Sequence, residues 1–128
     1  MIGPTGLALG GDGRLFVADT LENRIAAIPN ALTRFDDAGD GLTVAQGHAI
    51  NSPLGLTLAP NGNLITVNGG DGNMVEITTG GVQVAVKFVD VSNSPNNGAG
   101  TLFGLAIAPK GNGVYFVDDG DNTLNLLH

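Results

Sequence analysis

The chain alternates short apolar runs with glycine-, asparagine- and aspartate-rich breaks, and the apolar positions recur every second residue rather than every third or fourth. Leu15-Phe-Val-Ala-Asp19, Leu64-Ile-Thr-Val-Asn68 and Val114-Tyr-Phe-Val-Asp118 are rich in β-branched and aromatic residues, which suit a pleated, half-buried surface. A shorter apolar run precedes each of them: Leu7 to Leu9, Leu56 to Leu58 and Leu105 to Ile107. The turn between the two runs is built from Gly, Asp, Asn and Pro, the composition of a hairpin connection. After a polar loop, third strands are expected near Arg24 to Ile28, Met74 to Thr78 and Thr123 to Leu127. Fourth strands are expected near Leu42 to Ala45 and Val82 to Val89, in the first two copies only. The one weakly helical stretch, Ala26 to Phe35, contains Pro29, which argues against a helix.

These runs belong to an internal repeat. Gly3-Pro-Thr-Gly-Leu-Ala-Leu-Gly-Gly-Asp-Gly13, Ser52-Pro-Leu-Gly-Leu-Thr-Leu-Ala-Pro-Asn-Gly62 and Thr101-Leu-Phe-Gly-Leu-Ala-Ile-Ala-Pro-Lys-Gly111 align without a gap. Their anchor glycines, Gly6, Gly55 and Gly104, stand 49 residues apart, and the turn glycines Gly13, Gly62 and Gly111 keep that spacing. Four short antiparallel strands repeated at such a period define β-propeller blades. The predicted fold is therefore all-β: three antiparallel blades at about 3–50, 52–100 and 101–128, the last without its outer strand.

Pro4-x-Gly6-Leu-Ala-Leu, Asp12-Gly13-Arg-Leu-Phe-Val-Ala-Asp19 and Asn23-Arg24-Ile25 resemble the NHL repeat of six-bladed propellers. Copy two keeps Pro53, Gly55, Asn61 and Gly62, whereas copy three lacks the proline and inserts Asn112-Gly113. The chain is equally similar to senescence-marker/gluconolactonase-like propellers. The resemblance implies that three blades are half of a ring, similar to the C-terminal half of a longer parent. Blades one and three would each present an apolar sheet face, which soluble monomers seldom leave bare. Two copies joined head to tail would close a six-bladed ring, so a homodimer is expected, with an open monomeric half as the other arrangement.

Composition narrows the chemistry. With Lys+Arg 5 against Asp+Glu 12, the net charge of −7 opposes a nucleic-acid backbone, and no nucleic acid is expected as a partner. Leu102 to Ala108, the longest apolar stretch, is far short of the roughly 20 residues that span a bilayer, so no membrane partner is expected. There is no cysteine, hence no disulfide and no thiolate chemistry. Met1 to Gly6 has neither a basic nor an apolar leader region, so no signal peptide is read in this chain. The low Lys/Arg content with abundant Asn, Thr and Gly nevertheless resembles extracytoplasmic bacterial propellers; localisation stays open.

Candidate binding residues fall in loops at one end of the blades: Asp19 and Asn23, His48, Asn68 and Asp71, Asp118 and Asp121, among other polar residues including those of the loop from Ser92 to Thr101. They either form an acidic, amide-rich face for a cation, sugar or peptide, or hydrogen-bond their own turns. Thr5, Leu54 and Phe103, each just before an anchor glycine, are expected to line the channel. Gluconolactonase-like relatives carry an Asn or Asp there and hold a divalent metal in the channel; these three residues offer no anionic oxygen.

No cofactor or metal is expected beyond adventitious Ca²⁺. Asp36-Asp-Ala-Gly-Asp40-Gly41 begins like an EF-hand loop, but Ala38 takes a ligand position and Gly47 stands where the bidentate Glu belongs. Asp118 to Asn122 is richer in oxygens and follows no known loop pattern. No catalytic residue is assigned, because His48 and Ser52 lack a nucleophile elbow. Gly98 to Gly104 has the wrong spacing for a phosphate loop. The expected function is a non-enzymatic binding or interaction module with a protein or small-molecule ligand at one face. The alternatives are a metal-dependent lactonase or hydrolase of the gluconolactonase-like type, or a truncated propeller that retains no activity.

Overall fold

A computed structural model describes residues 1–90 and 97–128. Ser92 and its neighbours up to residue 96, part of one candidate loop, lie outside the described residues. Eleven strands form three sheets. Sheet one holds β1 (Pro4–Leu9), β2 (Leu15–Asp19), β3 (Arg24–Ile28) and β4 (Leu42–Gln46) in sequence order. Sheet two repeats this with β5 (Pro53–Leu58), β6 (Leu64–Asn68), β7 (Asn73–Ile77) and β8 (Gln83–Phe88). Sheet three has only β9 (Leu102–Ile107), β10 (Val114–Asp118) and β11 (Thr123–Leu127). All neighbours pair antiparallel. The chain is thus three consecutive blades of a β-propeller, the last lacking an outer strand among the described residues.

The inner strands start three residues earlier than the apolar pattern suggests, at Pro4, Pro53 and Leu102. The extra residues include Gly6, Gly55 and Gly104, and the ladder register shifts beside each of them. At two of these glycines the blades meet so closely that only hydrogen fits. A Cβ on Gly6 would lie 2.4 Å from the Leu54 carbonyl oxygen, and one on Gly55 would lie 2.4 Å from that of Phe103. The repeated glycine is therefore a packing contact between successive inner strands and not a breaker.

Alternation along each strand sends one set of side chains to each neighbouring blade. Phe16, Ala18, Ile25 and Ala27 of blade one meet Leu56, Leu64, Val75 and Ile77 of blade two in one cluster. Val67 and Met74 of blade two meet Leu102, Val114 and Phe116 of blade three in another. The core is thus divided between the two inter-blade seams. Residues 29–33, in the weakly helical stretch, form turns. In copy three a short 3₁₀ turn, Pro109–Gly111 with Lys110 at φ 63°, precedes the extra residue, and the closing bond from the Ala108 amide runs to the Gly113 carbonyl at 2.9 Å.

The hairpin turns are fixed by Asx chemistry. Asp12 Oδ1 accepts from the Arg14 amide at 3.1 Å, and Asn61 Oδ1 accepts from that of Asn63 at 2.9 Å. The Asn61 and Asn63 side chains also donate to Glu76 Oε1, at 2.9 and 2.7 Å, and hold that carboxyl below its ordinary titration range. A depressed carboxyl stabilises the fold above its unfolded pKa, and that contribution is lost as pH falls through the folded value. Between about pH 6 and about pH 3 the native chain should lose about 0.5 kcal/mol more than Glu76→Gln, a small effect because the turn is solvated. Urea unfolding at the two pH values measures it; equal losses would refute the assignment.

Candidate functional site

Thr5, Leu54 and Phe103 precede the three anchor glycines and so occupy one repeat position on the inner strands. Together with Gly6, Gly55 and Gly104 they line a shared open pocket of about 300 Å³. The Thr5 hydroxyl donates to the Leu54 carbonyl at 2.9 Å and lies 2.9 Å from the Thr20 hydroxyl, which donates to the Pro53 carbonyl at 2.7 Å. Blade one's hydroxyls are thus turned onto blade two's backbone, and the remaining wall is Leu54 and Phe103. Such a surface can hold an uncharged or apolar group by burial. Among the described residues that line it, none offers a carboxylate or imidazole to a divalent cation, so this pocket does not fit a catalytic metal.

The loop acids and amides repeat as well. Asp19, Asn68 and Asp118 end the second strands at equivalent positions, and all three side chains are fully buried. Asp19 accepts from the Ile2 amide at 3.0 Å, Asn68 from the Asn51 amide at 3.1 Å, and Asp118 from the Gly120 amide at 3.0 Å. Asp19 and Asn68 thus tie down the segment that leads into their blade's inner strand, and Asp118 accepts within its own loop.

What balances this buried group differs from blade to blade. In blade one Arg24 donates to Asp19 at 3.0 Å and pairs with Glu22 at 2.7 Å. It also donates to the Thr43 hydroxyl at 2.8 Å and the Asp40 carbonyl at 2.7 Å. Its side chain is only 7% exposed. In blade two the equivalent residues are neutral or shared. Asp71 receives the Asn68 amide and the Asn73 backbone at 3.0 Å each, and the Asn51 amide at 3.1 Å. In blade three Asp121 accepts from the Thr123 hydroxyl.

Asn23 occupies the left-handed turn before β3, at φ 56°, where Gly72 and Asn122 stand in the other blades. Its Oδ1 accepts from the Ser52 amide at 2.7 Å and ties blade one's loop to the start of blade two. His48 lies apart from these sets, exposed at φ 53° and facing Gly81, Gln83 and Val86. Its loop is held by Gln83, which donates to the Gly47 carbonyl at 3.0 Å and accepts from the Ala49 amide at 2.9 Å. The candidate residues are therefore gathered blade by blade: Asp19 with Asn23, Asn68 with Asp71, Asp118 with Asp121.

Sequence reading missed Arg24 as a member of this set. The signal was available, since Arg24, Asn73 and Thr123 share one repeat position beside a buried acid or amide. The EF-hand-like stretch is organised by another arginine. Arg34 donates to the Pro29, Asp36 and Asp37 carbonyls at 3.1, 3.1 and 3.3 Å, and Asp37 Oδ1 accepts from the Gly39 amide at 2.8 Å. Among the described residues, no group of three or more His, Asp or Glu is placed to hold a metal ion, and no helix is long and apolar enough to cross a membrane.

No protein-family model matches the chain, and no curated protein does. Solved structures do match in fold. Virginiamycin B lyase from Staphylococcus aureus superposes with a TM-score of 0.68 at 20% identity, over 97% of this chain and 40% of its own. A gluconolactonase from Xanthomonas campestris gives 0.65 at 14% identity, over 91% and 35%. Regucalcin, a calcium-binding protein from Agrobacterium tumefaciens, gives 0.63 at 18% identity, over 88% and 37%. The chain thus spans less than half the length of these six-bladed propellers, as three blades should.

Proposed function

We propose that these three blades belong to a six-bladed propeller that holds a small, largely uncharged ligand at the mouth of its channel. The observation that carries this reading is the convergence of Thr5, Leu54 and Phe103 in one pocket beside the inner strands. A rigid scaffold presenting a concave, mostly apolar mouth is the usual form of a small-molecule site. On this chain's own residues the site binds without catalysing, since the buried acids and amides serve their loops.

The likeness to solved structures favours a second reading, an enzyme of lactonase or lyase type, because two of the neighbours named above carry those names. In that reading these blades supply the apolar wall, and the acid, base or metal-holding groups come from elsewhere in the ring. No catalytic step is assigned to residues of this chain.

Titration of the isotope-labelled chain with quinupristin, the compound present in a structure of catalytically inactive virginiamycin B lyase from Staphylococcus aureus, and separately with a sugar lactone, tests both readings by amide shifts and by acid release. Shifts centred on Leu54, Phe103 and Gly104, weakened about tenfold or more by Phe103→Asp, are the expected result. Shifts elsewhere, or none with either compound, would remove the binding site. Lactone hydrolysis above the buffer rate that Phe103→Asp abolishes would decide for the enzyme.

A further inference from the structure

We infer that the two outward faces of this half ring are the two sides of one contact, and that a second copy of the chain occupies them. The inference rests on the six-blade reading of the fold and not on the ligand. Each seam inside the chain is made in the same way. The face of one blade carries the close-approach glycine, and the inner strand of the next blade brings the carbonyl that meets it.

The outward faces carry the repeat positions of the inner ones, and large apolar side chains on both are exposed, although Val17 (2%) and Ala26 (0%) on blade one are covered within the chain. Val67 is 0% exposed beneath blade three, whereas Val117, at the same repeat position of blade three, is 40% exposed. Met74 is 6% exposed and its counterpart Leu124 is 68% exposed. On the opposite side, Leu56 is 6% exposed against blade one, and its counterpart Leu7 is 58% exposed.

The backbone agrees with the side chains. At Gly104 a Cβ would find only Val117 Cγ2, at 3.9 Å. The notch that receives a carbonyl oxygen at Gly6 and Gly55 is therefore present at Gly104 without its oxygen. The residue that would bring one in the next blade stands at the repeat position of Thr5. Blade one, whose Thr5 carbonyl is in that position, also presents the Leu7 side chain that such a neighbour needs.

A three-blade copy covers half of a six-blade ring. A half turn thus places the partner's blade one against Gly104 and the partner's blade three against Leu7. The contact is made twice under one two-fold axis and closes.

Light scattering on size-exclusion fractions, over a range of loading concentrations, should give twice 12.9 kDa for the native chain. Gly104→Ala should dissociate about a hundredfold more readily, because its methyl group meets the incoming carbonyl at both contacts. The variant should keep the native circular dichroism and unfolding temperature of the single chain, since nothing within the chain crowds that position. Leu7→Asp should give the same loss from the other face. A native mass of 12.9 kDa at every concentration would overturn the second copy as the occupant of these faces. A dimer that survives Gly104→Ala and Leu7→Asp would place the interface elsewhere.

Discussion

Gly55→Ala is expected to lower the stability of the chain by about 3 kcal/mol, a fall of about 10 °C in the unfolding midpoint. The added methyl group would sit 2.4 Å from the Phe103 carbonyl oxygen, 2.6 Å from Leu105 Cδ2 and 3.2 Å from the Leu105 amide nitrogen. Two of these neighbours are backbone atoms of an inner strand, which cannot swing away as a side chain can. Relief requires blades two and three to separate, and separation opens the cluster around Val67, Leu102 and Phe116. Thermal unfolding of a non-associating background, such as Leu7→Asp, measures the effect without the dimer. Gly104→Ala in the same background is the control, because it makes the same chemical change at the same repeat position without a strand against it. Equal destabilisation by the two variants would refute the close-approach account.

Arg24→Met should cost about 3–5 kcal/mol, the magnitude for removing one partner of a buried ion pair. Asp19 is fully buried, and the guanidinium is its countercharge. The remedy is written in the next blade, where the equivalent residues are Asn68 and Asn73. The double variant Asp19→Asn with Arg24→Asn should therefore recover most of the loss. Asparagine can still accept from the Ile2 amide, as Asn68 accepts from that of Asn51, and its own amide can reach Glu22, as Asn68 reaches Asp71. A double-mutant cycle by urea unfolding gives the coupling. If the losses of the two single substitutions simply add, the pair is not the unit that holds this loop.

The blade pattern was legible because strand alternation and the 49-residue register reinforce one another. Leu15, Leu64 and Val114 each start a second strand as the pattern predicts, and Arg24 and Thr123 start third strands. The starts of the inner strands were less legible, since a glycine that breaks a strand and one that admits a neighbouring carbonyl look alike in sequence. The roles of the loop residues were hidden for a similar reason. An aspartate that accepts from its own loop and one that awaits a ligand are the same residue, and only burial and hydrogen-bond partners separate them. Asp19 and Asn68 illustrate this, as both are directed into the protein. That Thr5, Leu54 and Phe103 share one pocket follows from the repeat alone, because each stands just before an anchor glycine.

The division of the core between two seams also shapes how the chain opens. No single nucleus unites all three blades; each blade is secured by what it shares with its immediate neighbours, as in linear repeat proteins. Blade two is clamped on both sides, whereas blade three is held within the chain by one seam and by a sheet of three strands. In the single chain its amides are expected to exchange with solvent first, with unfolding proceeding from that end inward. The least protected part of the single chain is thus expected to be the blade that carries Phe103, so the pocket it shares with Thr5 and Leu54 opens as blade three breathes.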